Sequence, residues 1–261
     1  MSLKIGITEQ GDPAFDFNWI DKLRNNVVDG AIIISKGVNS QLEQGLLEFK
    51  DKIIYHNTCT GLGGTCLEPN VPPYKEKLDH VKRLMDNGFS ASHIVMRIDP
   101  IVGEDIIKFS CEPYINNYDK FLEVLCEIIE FAVKNGIRRI RYSFCDYYKH
   151  VRERFHNQKI IDFSSSNTLY YDEQQRYLTL FKDIQSIYPF ISFESCGEKY
   201  TPINHKLGCV SIKDIKILGL DVNQCHERFN IRNECLCCSP KIELLSNKSQ
   251  CPHGCLYCYW K

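Results

Sequence analysis

The sequence predicts an α/β fold, a (β/α) barrel or partial TIM-like barrel of parallel strands. Short apolar runs alternate with amphipathic stretches along most of the 261 residues. Such strand–helix–strand repetition is satisfied by parallel strands joined through helical crossovers. Hydrogen-bonding and reactive residues gather where the apolar runs end, and parallel α/β folds build their sites at the carboxyl ends of the strands. The length suits one large domain. A doubly wound open sheet is the alternative, because strand order cannot be read from periodicity.

The strands are expected at Leu3–Thr8, Ala31–Ser35, Lys52–Thr58, His93–Asp99, Ile137–Phe144 and Pro189–Glu194, with a weaker one near Cys209–Ile212. Between them Leu78, Val81, Leu84 and Met85 recur at helical spacing, and Gly88 follows as a stop. Phe121, Leu122, Leu125, Ile128, Ile129 and Val133 make a second stripe, ended by Asn135-Gly136, and Tyr177, Leu178, Phe181, Ile184 and Ile187 make a third. Residues 145–171, rich in Tyr, Arg and Ser, read as a long connection over the open end. The expected organisation is a barrel over 1–224 and a cysteine-rich, cluster-binding segment over 225–261, packed on the same domain.

Hydrophobic content of 43% and charged content of 25% are those of a globular protein. No apolar run approaches the ~20 residues that span a bilayer, and the N-terminus enters a strand pattern without a signal sequence. A cytoplasmic protein with no membrane partner is expected. A formal net charge of -1 gives no global attraction to nucleic acid. Fourteen cysteines in a reducing compartment argue for metal or redox chemistry over a disulfide framework. Half of them, Cys225, Cys235, Cys237, Cys238, Cys251, Cys255 and Cys258, fall in the final segment.

The run Cys251-Pro252-His253-Gly254-Cys255-Leu256-Tyr257-Cys258 is the most specific signal. Spacing of C-x3-C-x2-C lets three thiolates close three corners of an iron–sulfur cube and leaves the fourth iron without a protein ligand, whereas an electron-carrying cubane takes four cysteines. A zinc knuckle or a redox pair would need only the C-x2-C part. With Gly254 inside it and Tyr257 before the last cysteine, the loop resembles that of the radical S-adenosylmethionine (radical SAM) superfamily. The resemblance implies an open iron binding the amino and carboxylate groups of S-adenosylmethionine, with the aromatic ring against the adenine. It also implies an electron donor such as ferredoxin or flavodoxin.

Cys235-Leu236-Cys237 and the terminal loop, together with Asp12-Pro13-Ala14-Phe15, the stretch from Thr58-Cys59-Thr60-Gly61 to Glu68-Pro69, and Met96-Arg97-Ile98-Asp99-Pro100-Ile101, resemble the domain of unknown function 1848 over nearly the whole chain. That family is similar to radical SAM proteins of the spore photoproduct lyase kind, but the family resemblance brings no reaction with it. A likeness to the lyase itself would imply a nucleic acid or nucleobase as substrate and a hydrogen-donating cysteine such as Cys59, Cys145 or Cys196. The chain departs from the family around Ser239–Leu245, where an Asp-Ile-Gly stretch is absent. In ordinary radical SAM barrels the cluster loop follows the first strand, whereas here it ends the sequence. A circular permutation would account for this, with Lys241–Leu245 as the displaced strand and Asp12 or Glu9 as acceptor for the methionine amino group. It requires Gly11–Pro13 to lie near Cys258.

Other candidates follow from position. Arg97 and Asp99 alternate on a strand just before Pro100, and Glu194 ends another; together with Glu9, Asp12, Thr60 and Tyr257 they are expected to line a cofactor and substrate pocket. Lys36 and Asp146 read as solvated strand ends. Gly61-Leu62-Gly63-Gly64 is followed by prolines and not by a clear helix, so it reads as a mouth loop in which Thr60 and Glu68 contact a ligand. Cys235, Cys237 and Cys238, with Cys225, Cys209 and Cys196 nearby, are candidates for a second metal, zinc or iron–sulfur. Arg138-Arg139-Ile140-Arg141-Tyr142 and the aromatic–basic stretch from Tyr147 to Phe155 suit stacking on bases. The leading expectation is a radical SAM enzyme; the alternative is a non-catalytic binding protein stabilised by zinc or iron–sulfur, with a closed four-thiolate site as its signature.

Overall fold

The computed structural model describes residues 3–108, 115, 117–157, 171–195, 197–225, 236–238, 241–247 and 251–259. Seven parallel strands form one sheet: β1 (Ile5–Ile7), β2 (Gly30–Ser35), β3 (Ile53–Thr58), β4 (Ile94–Ile101), β5 (Arg139–Phe144), β6 (Ser192–Ser195) and β7 (Lys241–Glu243), in the order β6-β5-β4-β3-β2-β1-β7. Strands β1 to β6 add one after another to the same edge. The last strand returns to the free edge of the first, with Ile5 opposite Lys241 and Ile7 opposite Glu243. The segment read as cysteine-rich thus supplies an edge strand of the same sheet.

The helices between the strands are α1 (Asn18–Arg24), α2 (Ser40–Glu48), α3 (Tyr74–Asp86), α4 (Glu104–Lys108), α5 (Tyr118–Lys134), α6 (Lys149–Asn157), α7 (Tyr171–Ile187) and α8 (Ile212–Ile217). Their ends follow local chemistry. Asn39 and Asn117 accept from the backbone of Leu42 and Lys120 to cap α2 and α5. Gly88 (φ 85°) takes the left-handed turn after α3. α6 lies inside the stretch expected to be a connection.

Alternate strand residues face opposite layers. Ile33, Tyr55, Met96, Ile140, Tyr142 and Phe193 pack with Trp19, Leu42, Leu84, Leu125 and Phe181, so helices α1, α2, α3, α5 and α7 share one face of the sheet. Ile5, Ile7, Ile32, Ile54 and Val95 face the other way and are covered by Val210 and Ile215. A doubly wound sheet would divide its crossover helices between both faces. Here the crossover helices from β1 to β6 share one face, and α8, on the way to β7, packs on the other.

The weak strand expected at Cys209–Ile212 is a correction. Ser211 begins α8 with a reciprocal capping box, its side chain bonded to the Asp214 backbone and the Asp214 carboxylate to the Ser211 N–H. That pair commits the chain to a helix. Among the described residues no helix is long and apolar enough to cross a membrane.

Candidate functional site

The second face of the sheet carries charge where β5 and β6 meet. Arg139 donates to both oxygens of Glu194 at 2.8 and 2.9 Å and to Asp214 at 2.7 Å; Arg141 reaches Glu194 at 2.9 Å and Lys213 reaches it at 2.8 Å. Burial alone would raise the Glu194 carboxyl, but Arg141, Arg139 and Lys213 overcome it and hold it far below the ordinary carboxylate range. The sequence suggests a pocket-lining Glu194; in the fold it is fully buried and its oxygens are taken by this network. Arg139 and Arg141, candidates for a base-stacking surface, are buried here as well.

Towards the carboxyl ends of the strands the polar groups converge on the cysteine loop. Asp12, after β1, is the hub. One carboxylate oxygen accepts from the Ala14 N–H (2.9 Å) and the Ser35 hydroxyl (2.6 Å). The other accepts from the N–H groups of Lys36 (2.7 Å) and Gly37 (3.0 Å) and lies 2.8 Å from His253 Nε2. Burial opposes the charge on Asp12, but His253, Ser35 and Ala14 outweigh it and lower its pKa. The opposite ring nitrogen of His253 lies 3.0 Å from the Asn70 carbonyl. The ring is thus held between the Asp12 carboxylate and the Asn70 carbonyl. With five donors on two oxygens, Asp12 serves as a clamp between the β1 and β2 loops and the cysteine loop. That is a different role from the ligand contact expected of it.

The loop itself is held by backbone. Leu256 N–H donates to Leu67 O (3.0 Å), Asn70 N–H to His253 O (3.2 Å), and the Asn70 side chain to Pro252 O (2.8 Å). Gly254 sits at φ 71°, and a Cβ there would lie 3.3 Å from Pro69. Gly254→Ala is therefore expected to cost about 1–2 kcal/mol, from the left-handed backbone alone. Thermal unfolding of the single variant checks this.

Lys36, just beyond β2, reaches into the same place. Its ammonium donates to Glu68 Oε1 at 2.5 Å and to the Tyr257 hydroxyl at 2.7 Å. Glu68 is buried and Tyr257 nearly so. Burial disfavours the charge on Lys36, yet Glu68, Cys255 and Asp99 raise its pKa overall. Beneath it, the fully buried Lys77 of α3 donates to the Lys36 carbonyl at 2.7 Å. Burial drops the Lys77 ammonium to about 8.

The remaining expected residues fall into two sets. Arg97 Nε donates to Asp99 Oδ2 at 2.6 Å, and Ser143 donates to the other Asp99 oxygen, so this pair stands together. Glu9 is held by both oxygens on Lys241 Nζ at 2.8 Å, and burial and Cys209 push it up to about 7 against the pull of Lys241. Thr60 is turned inward, where its hydroxyl accepts from Leu62 N–H at 3.2 Å and shapes the Gly61–Gly64 turn. Cys59 and Cys145 are buried thiols, Cys59 raised to about 12 by desolvation. Cys196 and Cys235 lie outside the described residues.

Three thiols stand on the loop, Cys255 buried and Cys251 and Cys258 partly exposed. Burial pushes the Cys255 thiol up to about 12, and Lys36 opposes this. Thiols separated by three and two residues on one loop have the spacing that suits an iron–sulfur cube, whose thiolates each take a separate iron. In the second cysteine group Cys238 Sγ lies 4.0 Å from Cys225 Sγ, while Cys237 is buried against Gly208. Among the described residues no three His, Cys, Asp or Glu side chains converge on one point as a single bound ion requires.

The family model described as domain of unknown function (DUF1848) matches residues 3–260. This chain belongs to the DUF1848 family. No curated protein matches it. The DUF1848 match runs through both the sheet and the cysteine loop, so the elements that position the site and the site itself belong to one family unit.

Sequence reasoning missed Lys36, Lys77 and His253. Lys77 left a trace, since it occupies an apolar position in the Tyr74, Val81, Leu84 stripe of α3.

Proposed function

We propose that this DUF1848 chain is a radical S-adenosylmethionine enzyme in which Cys251, Cys255 and Cys258 hold a [4Fe–4S] cluster. The observation that carries the reading is the C-x3-C-x2-C loop clamped against the carboxyl ends of β1 and β2, with the Lys36 ammonium bonded to Glu68 and to Tyr257 inside that loop. When bound and reduced, the cluster with S-adenosylmethionine supplies a 5′-deoxyadenosyl radical; the chain's own residues orient the reactants and exclude water.

The sheet order supports the permuted arrangement. β7 lies beside β1 and the cysteine loop follows it, as the loop of an ordinary radical SAM barrel follows its first strand. The contact between Asp12 and His253, five residues before Cys258, supports the permuted reading by bringing the Gly11–Pro13 turn to the cysteine loop. Asp12 is saturated and both Glu9 oxygens are held by Lys241, so the acceptor for the methionine amino group is left unassigned, while Tyr257 is proposed as the ring beside the adenine. Arg97 and Asp99 are assigned to the substrate side of the mouth. The burial of Arg139 and Arg141 removes the residue-level argument for a nucleic-acid substrate from that strand. Electrons would come from a small carrier such as ferredoxin or flavodoxin.

The test is anaerobic reconstitution with iron and sulfide, then electron paramagnetic resonance of the reduced protein. A [4Fe–4S]+ signal that changes when S-adenosylmethionine is added, and is lost in Cys255→Ala, is the expected result. Stoichiometric zinc with no cluster signal would overturn it in favour of a metal-stabilised binding protein.

A further inference from the structure

We infer that Lys36 is the positioning residue of the cysteine loop: its ammonium, oriented by Glu68, fixes Tyr257 and supplies positive charge to the turn between Cys255 and Cys258. This rests on the reading above for the charge, and on geometry alone for the fixing.

Three observations lead there. Lys36 is tied at every polar atom. Its N–H goes to Asp12, its carbonyl takes Lys77, and its ammonium is shared between Glu68 and the Tyr257 hydroxyl. The ammonium also lies 5.0 Å from the Tyr257 ring centroid, near the outer range of a cation–π contact. Finally, Tyr257 lies between Cys255 and Cys258, so fixing its ring fixes the turn that carries two of the three thiols. The Cys258 N–H closes that turn on the Cys255 carbonyl at 3.1 Å.

The chemistry of the partners explains why a lysine stands here. A phenol oxygen and a carboxylate both accept from an ammonium, and an ammonium has three donors to divide between them. A buried Glu68 without its cation would be an uncompensated charge. Three thiolates add negative charge to the same pocket, and a fixed cation offsets it in a medium where charges are poorly screened. Reduction of a cluster there adds one more electron, so the cation favours the reduced form. Arginine keeps that charge; methionine keeps only the length.

Hydrogen exchange of the metal-free full chain, read on the peptide covering 254–259, tests the fixing. Lys36→Met is expected to exchange about tenfold faster there, with the β3 and β4 amides unchanged. Tyr257→Phe, which deletes one hydroxyl, gives a smaller acceleration in the same peptide. If Lys36→Met loses its cooperative unfolding transition, Tyr257→Phe decides. Unchanged exchange at 254–259 overturns the proposal.

The charge is tested on reconstituted protein by redox titration without S-adenosylmethionine. Lys36→Met should load iron and sulfide as the parent does, yet show a tenfold lower reduced-to-oxidised ratio at a fixed potential, equivalent to about 59 mV for one electron. Lys36→Arg should restore most of it. An unshifted titration in Lys36→Met overturns the charge role. Should the parent chain load no cluster while exchange at 254–259 still accelerates, the enzyme reading fails and the fixing role stands.

Discussion

Glu194→Ala is expected to destabilise the protein by about 3–5 kcal/mol, the range found when one partner of a buried ion pair is removed. Arg141 would lose the Glu194 carboxylate, and Arg139 would keep Asp214. Denaturant unfolding of the variant measures the loss. Replacing Glu194 and Arg141 together by apolar residues of similar volume should recover much of it, because the uncompensated charge then disappears. The pH dependence has a definite sign. The folded state holds the Glu194 carboxyl far below its ordinary 4.5, so its contribution is complete above that value and is lost as pH falls below it. Glu194→Gln should therefore flatten the acid limb of the stability profile, and an unaltered acid limb would contradict the assignment.

Lys77→Met should act in the opposite direction. The folded chain lowers this ammonium from 10.5 to about 8 through burial, with Cys59 and Asp12 only partly compensating. Every tenfold loss of proton affinity is worth about 1.4 kcal/mol, so carrying the charge costs the folded state about 3 kcal/mol below pH 8. Methionine removes that cost and also removes the bond to the Lys36 carbonyl, worth about 1 kcal/mol. A net gain of about 2 kcal/mol at pH 7 is expected. Between pH 8 and 10.5 the unfolded chain binds the proton that the folded chain has released, so the parent grows more stable as pH rises across this window. The variant should lack that slope. A loss of stability at pH 7 would mean that the single bond to Lys36 matters more than the buried charge.

The strands were legible because a parallel sheet is buried on both faces and its strands read as near-continuous apolar runs. Ile53–Thr58 and Ile94–Ile101 stand where the apolar pattern places them, with ends shifted by one or two residues. Cys209–Ile212 misled because four residues carry no period, while the Ser211–Asp214 cap in the same stretch was the better signal. At the site, cysteine spacing was visible because all three thiols share eight residues. The clamp was not, since His253 and Asp12 are 241 residues apart and Lys36 and Tyr257 are 221 apart. An isolated lysine at a strand end has the same sequence appearance whether water or a buried carboxylate receives it. Only Lys77, a cation in an apolar stripe, announced that something was unusual.

The place of β7 also governs how the protein is made. On the ribosome the six other strands and their helices emerge first, while the three thiols trail behind them. The sheet can therefore begin to assemble without any of those thiols nearby to capture iron or to be oxidised. When β7 docks on β1, the loop follows into a seat already carrying Asp12, Lys36 and Glu68. A chain cut short before β7 would lack the three thiols and leave the outer edge of β1 bare, so closing that edge and delivering the cysteine loop are a single step.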